Sequence, residues 1–347
     1  MIHTMELQRQ IPNEIFYKLN AQRPKSEQWN DRIVFYNDEN NFKTSDVRKS
    51  IKKVTVQKIN DKQENISHTW LFLQLNVPRL LGYVEPKKPI RICSDDLPKV
   101  DRRLKRVKNH IYEKFNEKTQ IDFREFGNDF SIRRIDYAID IVTQKNSHVD
   151  ELIRLLKKGY QAPFLKLAPN QKNYYAVNGA KRKKERRAIN CYNKTVYELE
   201  NGNKKVCPNL LRFEVQLGYS QIKKFADKHK LTHFKTYETT QSLEPLFELS
   251  PYVLKEYHNK IAEPFPYYRK STILQAAIET GASPQQQQQV DQYLNEITKR
   301  NRTLYQLENT HKFAIDFLKS LKINPVPLSS QIRDVLSLDS IYSYIEV

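Results

Sequence analysis

The chain has little glycine and little cysteine, and both shortages narrow the classes of protein to which it can belong. Its 347 residues include 7 glycines, and neither G-x-x-x-x-G-K-[ST] nor G-x-G-x-x-G occurs. Both motifs hold nucleotide phosphates on glycine-rich backbone, so their absence disfavours a nucleotide-driven motor and a dinucleotide-dependent enzyme. The 3 cysteines are odd in number, and none are spaced as a zinc-binding pair. This usage predicts a reduced, cytoplasmic protein.

Long apolar runs are also missing. No stretch approaches the roughly 18 apolar residues that suggest a membrane-spanning helix. The first ten residues, M-I-H-T-M-E-L-Q-R-Q, lack the apolar core of a secretory signal. We therefore expect a soluble protein without a membrane partner.

Positive charge and aromatic rings are abundant by contrast. Lysine and arginine number 59 against 40 acidic residues, which gives a formal charge of +19, and there are 20 tyrosines and 16 phenylalanines. Cations neutralise phosphates and aromatic rings stack on bases, so this combination favours a nucleic-acid partner. Positive charge that serves only solubility or membrane adhesion is the alternative.

Residues 131–141, S-I-R-R-I-D-Y-A-I-D-I, are the most informative stretch. Taken as a β-strand, they alternate between two faces. The apolar face carries Ile135, Tyr137, Ile139 and Ile141, and the polar face carries Arg134, Asp136, Ala138 and Asp140. Such a strand buries one face in a core and presents charge on the other.

Two later stretches, 188–194 and 210–217, repeat this arrangement. Their polar positions are Asn190, Tyr192 and Lys194 in the first and Arg212, Glu214 and Gln216 in the second. If the three strands share a sheet, these side chains meet Asp136 and Asp140 on one surface. Carboxylates, a tyrosine and cations together predict a metal-assisted phosphoryl-transfer site. The alternative is an antiparallel sheet with a solvated face and incidental ion pairs.

Strand geometry limits the metal ligands on this surface. Asp136 and Asp140 are four residues apart, so their Cα atoms are separated by roughly 13 Å in an extended strand. Either one of them joins Glu214 as a metal ligand while the other supports a neighbour, or a bulge brings both closer.

The sequence predicts an α+β fold, an antiparallel sheet with helices packed on one face, followed by a helical C-terminal region. We place the first domain at 1–262, where 1–95 could form a subdomain of its own, and the helical region at 263–347, after the E-P-F-P-Y break. Strands are expected at 32–36, 54–59, 70–77, 121–126 and 173–178. Helices are expected at 95–118, 149–158 and 271–280, with one long helix from Ser283 to about Lys322.

Two basic segments are candidates for contact with a phosphate backbone. The run 181–187 holds six cations in seven positions, Lys181, Arg182, Lys183, Lys184, Arg186 and Arg187. It lies between two predicted strands and suits a loop that grips DNA, although a solvated hairpin tip is the alternative. The outer face of helix 95–118 is also basic and is either solvated or in contact with phosphates. Arg134 is a further DNA-binding candidate.

Three segments together resemble the rolling-circle replication initiators of the filamentous-phage II/X type, a group of phage and plasmid replication proteins. They are R-I-D-Y-A-I-D at 134–140, C-Y-N-K-T-V-Y-E-L at 191–199 and C-P-N-L-L-R-F-E-V-Q at 207–216. Similar motifs occur in the Rep-trans group of plasmid initiators and relaxases. The initial M-I-H-T and the I-N-P-V-P at 323–327 also look like parts of Firmicute members. The resemblance is specific in the middle of the chain and loose at its ends.

The resemblance implies a metal-dependent enzyme that nicks and rejoins one DNA strand at an origin through a tyrosine linked to the 5′-phosphate. The implied roles are Tyr192 as nucleophile, with Tyr197 as the alternative, Lys194 as a charge-stabilising neighbour, Asp136 and Glu214 as ligands of Mg²⁺ or Mn²⁺, and Asp140 and Arg212 in support. The implied partners are origin DNA, single-stranded or in a hairpin, and host proteins such as a helicase and a polymerase. A homodimer is compatible with it.

One feature departs from the family. Many rolling-circle initiators bind metal through a His-hydrophobe-His triplet, and no such triplet occurs in this sequence. The nearest pair, His229 and His233, fits a solvated helix end better than a metal site. A sequence-specific DNA-binding regulator without catalysis, acting through the C-terminal helices, and an RNA-binding protein that stacks bases on sheet aromatics are therefore alternatives.

Overall fold

A computed structural model describes residues 1–37, 48–61, 66–82, 96–162, 165–168, 172–179, 185–203, 206–231, 243–262, 265–333 and 336. The strands are β1 Ile2–Ile11, β2 Arg32–Asn37, β3 Ile51–Asp61, β4 Ile66–Asn76, β5 Ser131–Val142, β6 Lys166–Leu167, β7 Tyr174–Val177, β8 Arg187–Asn193 and β9 Leu210–Gly218. The helices are α1 Asn13–Ala21, α2 Val77–Leu80, α3 Leu97–Thr119, α4 Asn146–Lys158, α5 Lys194–Glu200, α6 Tyr219–Lys228, α7 Leu243–Asn259, α8 Lys270–Glu279, α9 Pro284–Thr298, α10 Leu304–Leu307 and α11 Lys312–Ser320. None of these helices is long and apolar enough to cross a bilayer.

All the strands belong to one antiparallel sheet in the order β2-β3-β4-β1-β5-β9-β8-β7-β6. Helices pack against its apolar face. On that face the ring of Phe213 lies 5.9 Å from His258 of α7, and Phe35 stacks on Phe115 of α3 at 4.1 Å. The predicted α+β class, with an antiparallel sheet, helices on one face and helices at the C-terminal end, is confirmed.

The strand at the N-terminal end was not expected from the sequence. β1 lies between β4 and β5, with Thr4 opposite both Asn76 and Asp136. Its residues Glu6, Gln8 and Gln10 alternate with Met5, Leu7 and Ile11, and Arg9 is the charged residue that interrupts this period-two pattern. The position of β1 joins the N-terminal strands and the middle of the chain into one sheet.

The strand predicted at 121–126 is wrong, since residues 121–130 form turns. Their backbone carbonyl oxygens accept hydrogen bonds from a side chain instead of from a neighbouring strand. Arg9 on β1 donates to the carbonyl oxygens of Phe123, Arg124 and Phe126 at 2.9, 2.6 and 2.9 Å. A buried guanidinium that satisfies three carbonyls removes the need for a partner strand there.

The long helix predicted from Ser283 is also wrong, because three helices occupy this part of the chain. Ser283 caps α9 as expected, in a capping box with Gln286. A second capping box, Thr303 with Gln306, starts α10 and breaks the predicted helix. The T-x-x-Q pattern is the sequence signal for that break.

The C-terminal helices share the core of the rest of the chain. Leu152 of α4, Phe213 of β9 and Leu294 of α9 belong to one continuous cluster of buried apolar side chains. Lys158 Nζ donates to the carbonyl oxygens of Ile297 and Lys299, both at 2.7 Å. This contact satisfies carbonyls that the end of α9 leaves without partners.

Candidate functional site

The polar side chains predicted to meet do lie together on the face of the sheet opposite α3 and α7. Strand register sets this arrangement, because Arg212 is opposite Asp140 on one side and Tyr192 on the other. Glu214 is opposite Asn190 on β8 and Ala138 on β5, and Ala138 lies two residues from Asp136. Directly opposed residues share a face in an antiparallel ladder.

This polar face is not a solvated surface. The exposed fractions are 2% for Asp136, 3% for Asp140, 1% for Arg212, 6% for Glu214 and 7% for Tyr192. Asp136, Glu214 and Tyr192 line a cleft of about 670 Å³ that also reaches Lys194 and Tyr197. Charges held out of bulk water interact strongly, which is what a reacting site needs.

Arg212 and Asp140 form a buried two-point ion pair. Arg212 Nε and Nη2 donate to the two carboxylate oxygens of Asp140 at 2.5 and 2.6 Å. Burial alone would lower the pKa of Arg212, but Asp140 outweighs burial and the net shift is upward. The remaining nitrogen, Nη1, is buried and donates no hydrogen bond to any residue that the structure describes. Asp140 therefore fixes the guanidinium, and Arg212 lies buried beside Tyr192 without lining the cleft itself.

Asp136 and Glu214 form the carboxylate pair of the site. Burial raises the pKa of Asp136 to about 7, Arg134 opposes that shift and the Glu214 carboxylate adds to it. Arg134 Nε lies 2.8 Å from Asp136 Oδ1, but Oδ1 is buried and accepts no well-aligned hydrogen bond from the described residues. On the other carboxylate, Gln216 donates to Glu214 Oε1 at 2.9 Å.

These two carboxylates fit a hard divalent cation. Mg²⁺ is commonly held by one or two carboxylates and keeps several waters, and a buried carboxylate oxygen that accepts no well-aligned hydrogen bond is a suitable ligand. Among the described residues, no group of three or more His, Cys, Asp or Glu side chains has the geometry of a metal site. The protein could therefore supply two ligands, and Asp140, held by Arg212, belongs to the supporting set.

Tyr192 and Tyr197 are adjacent in the cleft. Their rings meet edge to face with centroids 5.5 Å apart, and Tyr197 is 48% exposed. Burial raises the pKa of the Tyr192 phenol and Arg212 opposes that shift. Tyr192 is therefore the phenol next to the charged floor, while Tyr197 lies nearer to the mouth.

Lys194 begins helix α5 instead of ending the strand, because the Asn193 side chain accepts from Val196 N and caps the helix. Its ammonium forms an ion pair with Glu198, one turn along, and lies 4.8 Å above the ring of Tyr197. Burial, and next Arg212, lower the pKa of Lys194 to about 8. The cleft thus contains a cation that can lose its charge near neutral pH.

Three β-bulges bring further polar side chains to this face, and sequence reasoning missed all of them. The additional residues are His3 on β1, Lys52 on β3 and Arg133 on β5, each unpaired between two ladder partners. A bulge adds one residue to one strand, so two consecutive side chains can point to the same face. His3 Nδ1 lies 3.9 Å from Glu214 Oε2, and Lys52 Nζ donates to Thr4 at 3.2 Å.

The bulges leave a common mark in the sequence. The bulged segments read I-H-T-M at 2–5, I-K-K-V at 51–54 and I-R-R-I at 132–135. In each segment two polar residues separate apolar residues that are three apart, where a regular strand needs a separation of two. This pattern is the signal that could have identified His3 and Lys52.

The predicted DNA-binding residues have different surroundings. Arg134 lies in the cleft against Asp136, Arg186 Nη2 donates to Tyr175 at 2.8 Å, and Arg187 is hydrogen-bonded to Tyr257 on the helix-covered side. Lys181, Arg182, Lys183 and Lys184 lie outside the described residues, as does His233.

Comparison with solved structures shows a likeness to a replication protein. A solved structure of a rolling circle replication initiator protein from Geobacillus stearothermophilus aligns over 96% of this chain and 98% of its own, with 9% identity and a TM-score of 0.32. No family model and no curated protein matches the sequence. At that TM-score the likeness carries no weight for the site, whose chemistry rests on its own residues.

Proposed function

We propose that the protein initiates rolling-circle replication, or mobilises a plasmid, by nicking and rejoining one DNA strand through a tyrosine-phosphate intermediate. The observation that carries this proposal is the position of Tyr192 beside the buried Arg212 and the pair Asp136 and Glu214. A nucleophile, nearby cations and two carboxylates that can ligate a metal are the parts that phosphoryl transfer needs.

The chemistry follows from these positions. The Tyr192 oxygen attacks the scissile phosphorus, forming a phenol-phosphate bond to the 5′ side while the bond to the 3′ oxygen breaks. The phenol loses one proton and the 3′ oxygen gains one, so no oxidant or nucleotide is consumed. Lys194, which lines the cleft, would offset the charge that develops on the phosphate oxygens, and the buried Arg212 beside Tyr192 would add positive charge behind it. Rejoining is the same step reversed.

The carboxylates Asp136 and Glu214 would hold Mg²⁺ or Mn²⁺, which polarises the phosphate when bound. Their ionised forms repel each other, which is one reason that the pKa of Asp136 is raised. A divalent cation between them relieves that repulsion. The 3′-hydroxyl left by nicking is a primer for a host polymerase, and a host helicase would unwind the duplex ahead of it.

Incubation with supercoiled DNA that carries the origin of the protein's own replicon, plus Mn²⁺, tests the proposal. We expect relaxed DNA with protein bound covalently to the 5′ end. Tyr192→Phe should abolish the adduct, and Tyr197→Phe, which removes the neighbouring phenol and keeps its ring, should retain it. An adduct with Tyr192→Phe but none with Tyr197→Phe would move the nucleophile to Tyr197. Binding without any nick by the wild-type protein would instead support the regulator.

A further inference from the structure

A second hollow lies next to the cleft on the same face of the sheet. It has a volume of about 150 Å³ and is lined by Glu6, Phe72 and four cations, Arg32, Lys53, Arg133 and Arg134. Gln74 and Arg134 line both the hollow and the cleft. The two depressions are therefore adjacent on the sheet, with Gln74 and Arg134 at their common border.

Strand register places this hollow one step from the metal-ligating carboxylates. Arg134, Glu6, Gln74 and Lys53 are successive partners across β5, β1, β4 and β3. Asp136 lies two residues from Arg134 along β5, and Thr4 lies two residues from Glu6 along β1. Two residues in a β-strand span about 7 Å. A nucleic-acid strand bound in the cleft would therefore extend directly into the hollow.

The bulge at Arg133 concentrates positive charge in the hollow. Because Arg133 is the additional residue, its side chain and that of Arg134 both reach Glu6, at 2.8 and 3.5 Å. Glu6 is the one carboxylate among the described lining residues, against four cations. Arg32 and Lys53 have no ion-pair partner in the described part of the chain. The hollow is therefore a cationic pocket with charge left for an anion.

The Arg133 guanidinium is held in place by two contacts, one with an aromatic ring and one with a carboxylate. Its guanidinium lies 3.8 Å from the centre of the Phe72 ring, and Nη1 donates to Glu6 at 2.8 Å. An arginine fixed on both sides has little further freedom to lose when it binds an oxyanion. Fixed arginines beside mobile lysines are the usual composition of a phosphate-contacting surface.

We propose that this hollow binds the backbone of single-stranded DNA beside the scissile phosphate, with Arg32 and Lys53 as its phosphate contacts. This inference rests on the proposed function. An unpaired strand is favoured because Tyr192 lies on the cleft floor and is only 7% exposed. A phosphate of duplex DNA could reach Tyr192 only if the complementary strand entered the cleft as well. Because the two depressions share the border residues Gln74 and Arg134, the same strand would cross that border into the hollow.

The test compares two double variants of the full chain. Arg32→Ala with Lys53→Ala removes two cations from the hollow. Lys223→Ala with Lys224→Ala removes two exposed cations from α6, which packs on the opposite side of the sheet, and is the matched control. Fluorescence anisotropy with labelled dT20 at several KCl concentrations gives affinity and salt dependence for each protein.

Each phosphate contact contributes about 0.7 to the slope of log K against log salt for a single strand, so the hollow variant should lose about 1.4. Its affinity should fall about tenfold at 0.1 M KCl, while the control keeps the wild-type slope. If the two variants have equal slopes, the inference is wrong. The adduct assay on wild-type protein tests the proposed function separately, since an adduct can form whether or not the hollow variant binds dT20 normally.

Discussion

The two halves of the polar face are built on one sheet but differ in charge and exposure. Over β5, β9 and β8, cations and carboxylates are matched, and Arg212 and Asp140 are almost completely buried against each other. In the hollow, four cations from β2, β3 and the start of β5 share the lining with one carboxylate, Glu6 of β1, and Arg32 is exposed. A matched, buried set holds groups in fixed positions for chemistry, whereas a cationic, open set holds a polyanion. The same face can therefore react at one end and grip at the other.

The largest expected difference between the halves is in stability. Arg212→Leu leaves Asp140 charged and buried without its partner, which should lower the free energy of unfolding by about 3 to 5 kcal/mol. Arg133→Leu in the hollow should cost about 1 to 2 kcal/mol, because Glu6 keeps Arg134 and leucine can still pack on Phe72. Urea unfolding of both variants measures the two costs. Equal losses would show that the halves are not different in burial as described.

The second expected difference between the halves is in their affinity for a divalent metal. Glu214→Gln removes one of the two carboxylates proposed as metal ligands and should weaken Mn²⁺ binding by about 10- to 100-fold, measured by calorimetry. Glu6→Gln is the matched control, since it makes the same chemical change in the hollow, where Glu6 pairs with Arg133. The assignment of the metal to the cleft fails if the two variants lose affinity equally.

Regular strands are the part of this fold that the sequence predicts well. In β8 and β9 strict alternation places Tyr192, Arg212 and Glu214 on one face, and in β5 it places Asp136 and Asp140 there. Alternation is a local property of an extended backbone, so it can be identified without knowledge of the partner strand. The spacing predicts that one of Asp136 and Asp140 supports a neighbour unless a bulge brings both closer, and in the structure Asp140 holds Arg212.

The features that the sequence did not predict depend on contacts between residues that are distant along the chain. His3, Lys52 and Arg133 reach the polar face only because each strand bulges against its neighbour, and no strand was predicted at the position of β1. The strand expected at 121–126 fails for a similar reason, since Arg9, more than a hundred residues away, satisfies its carbonyls. Contacts this distant along the chain leave no periodic signal in the segment itself.

The raised pKa of Asp136 should appear as a pH dependence of stability in the cleft half. Its pKa rises from an ordinary value of 3.8 in the unfolded chain to about 7 in the folded protein, mainly through burial. Its contribution to stability is therefore full below about pH 4 and is lost as the pH rises through 7, at about 1.4 kcal/mol per pH unit between the two values. Urea unfolding in EDTA should show this slope in the difference between wild-type protein and Asp136→Asn. A difference that stays constant from pH 5 to 8 would contradict it.

The smallest predicted effect uses two consecutive lysines that one bulge divides between the halves. Lys52 lines the cleft and lowers the pKa of Asp136, whereas Lys53 lines the hollow. Lys52→Met should raise the midpoint of the Asp136 transition in the metal-free protein by less than about one pH unit, because one nearby cation is lost. Lys53→Met removes the same charge one residue away and should leave the midpoint unchanged. Equal shifts would mean that both lysines act on Asp136 through the general field of the protein, and that the division of the face at Gln74 and Arg134 has no electrostatic consequence.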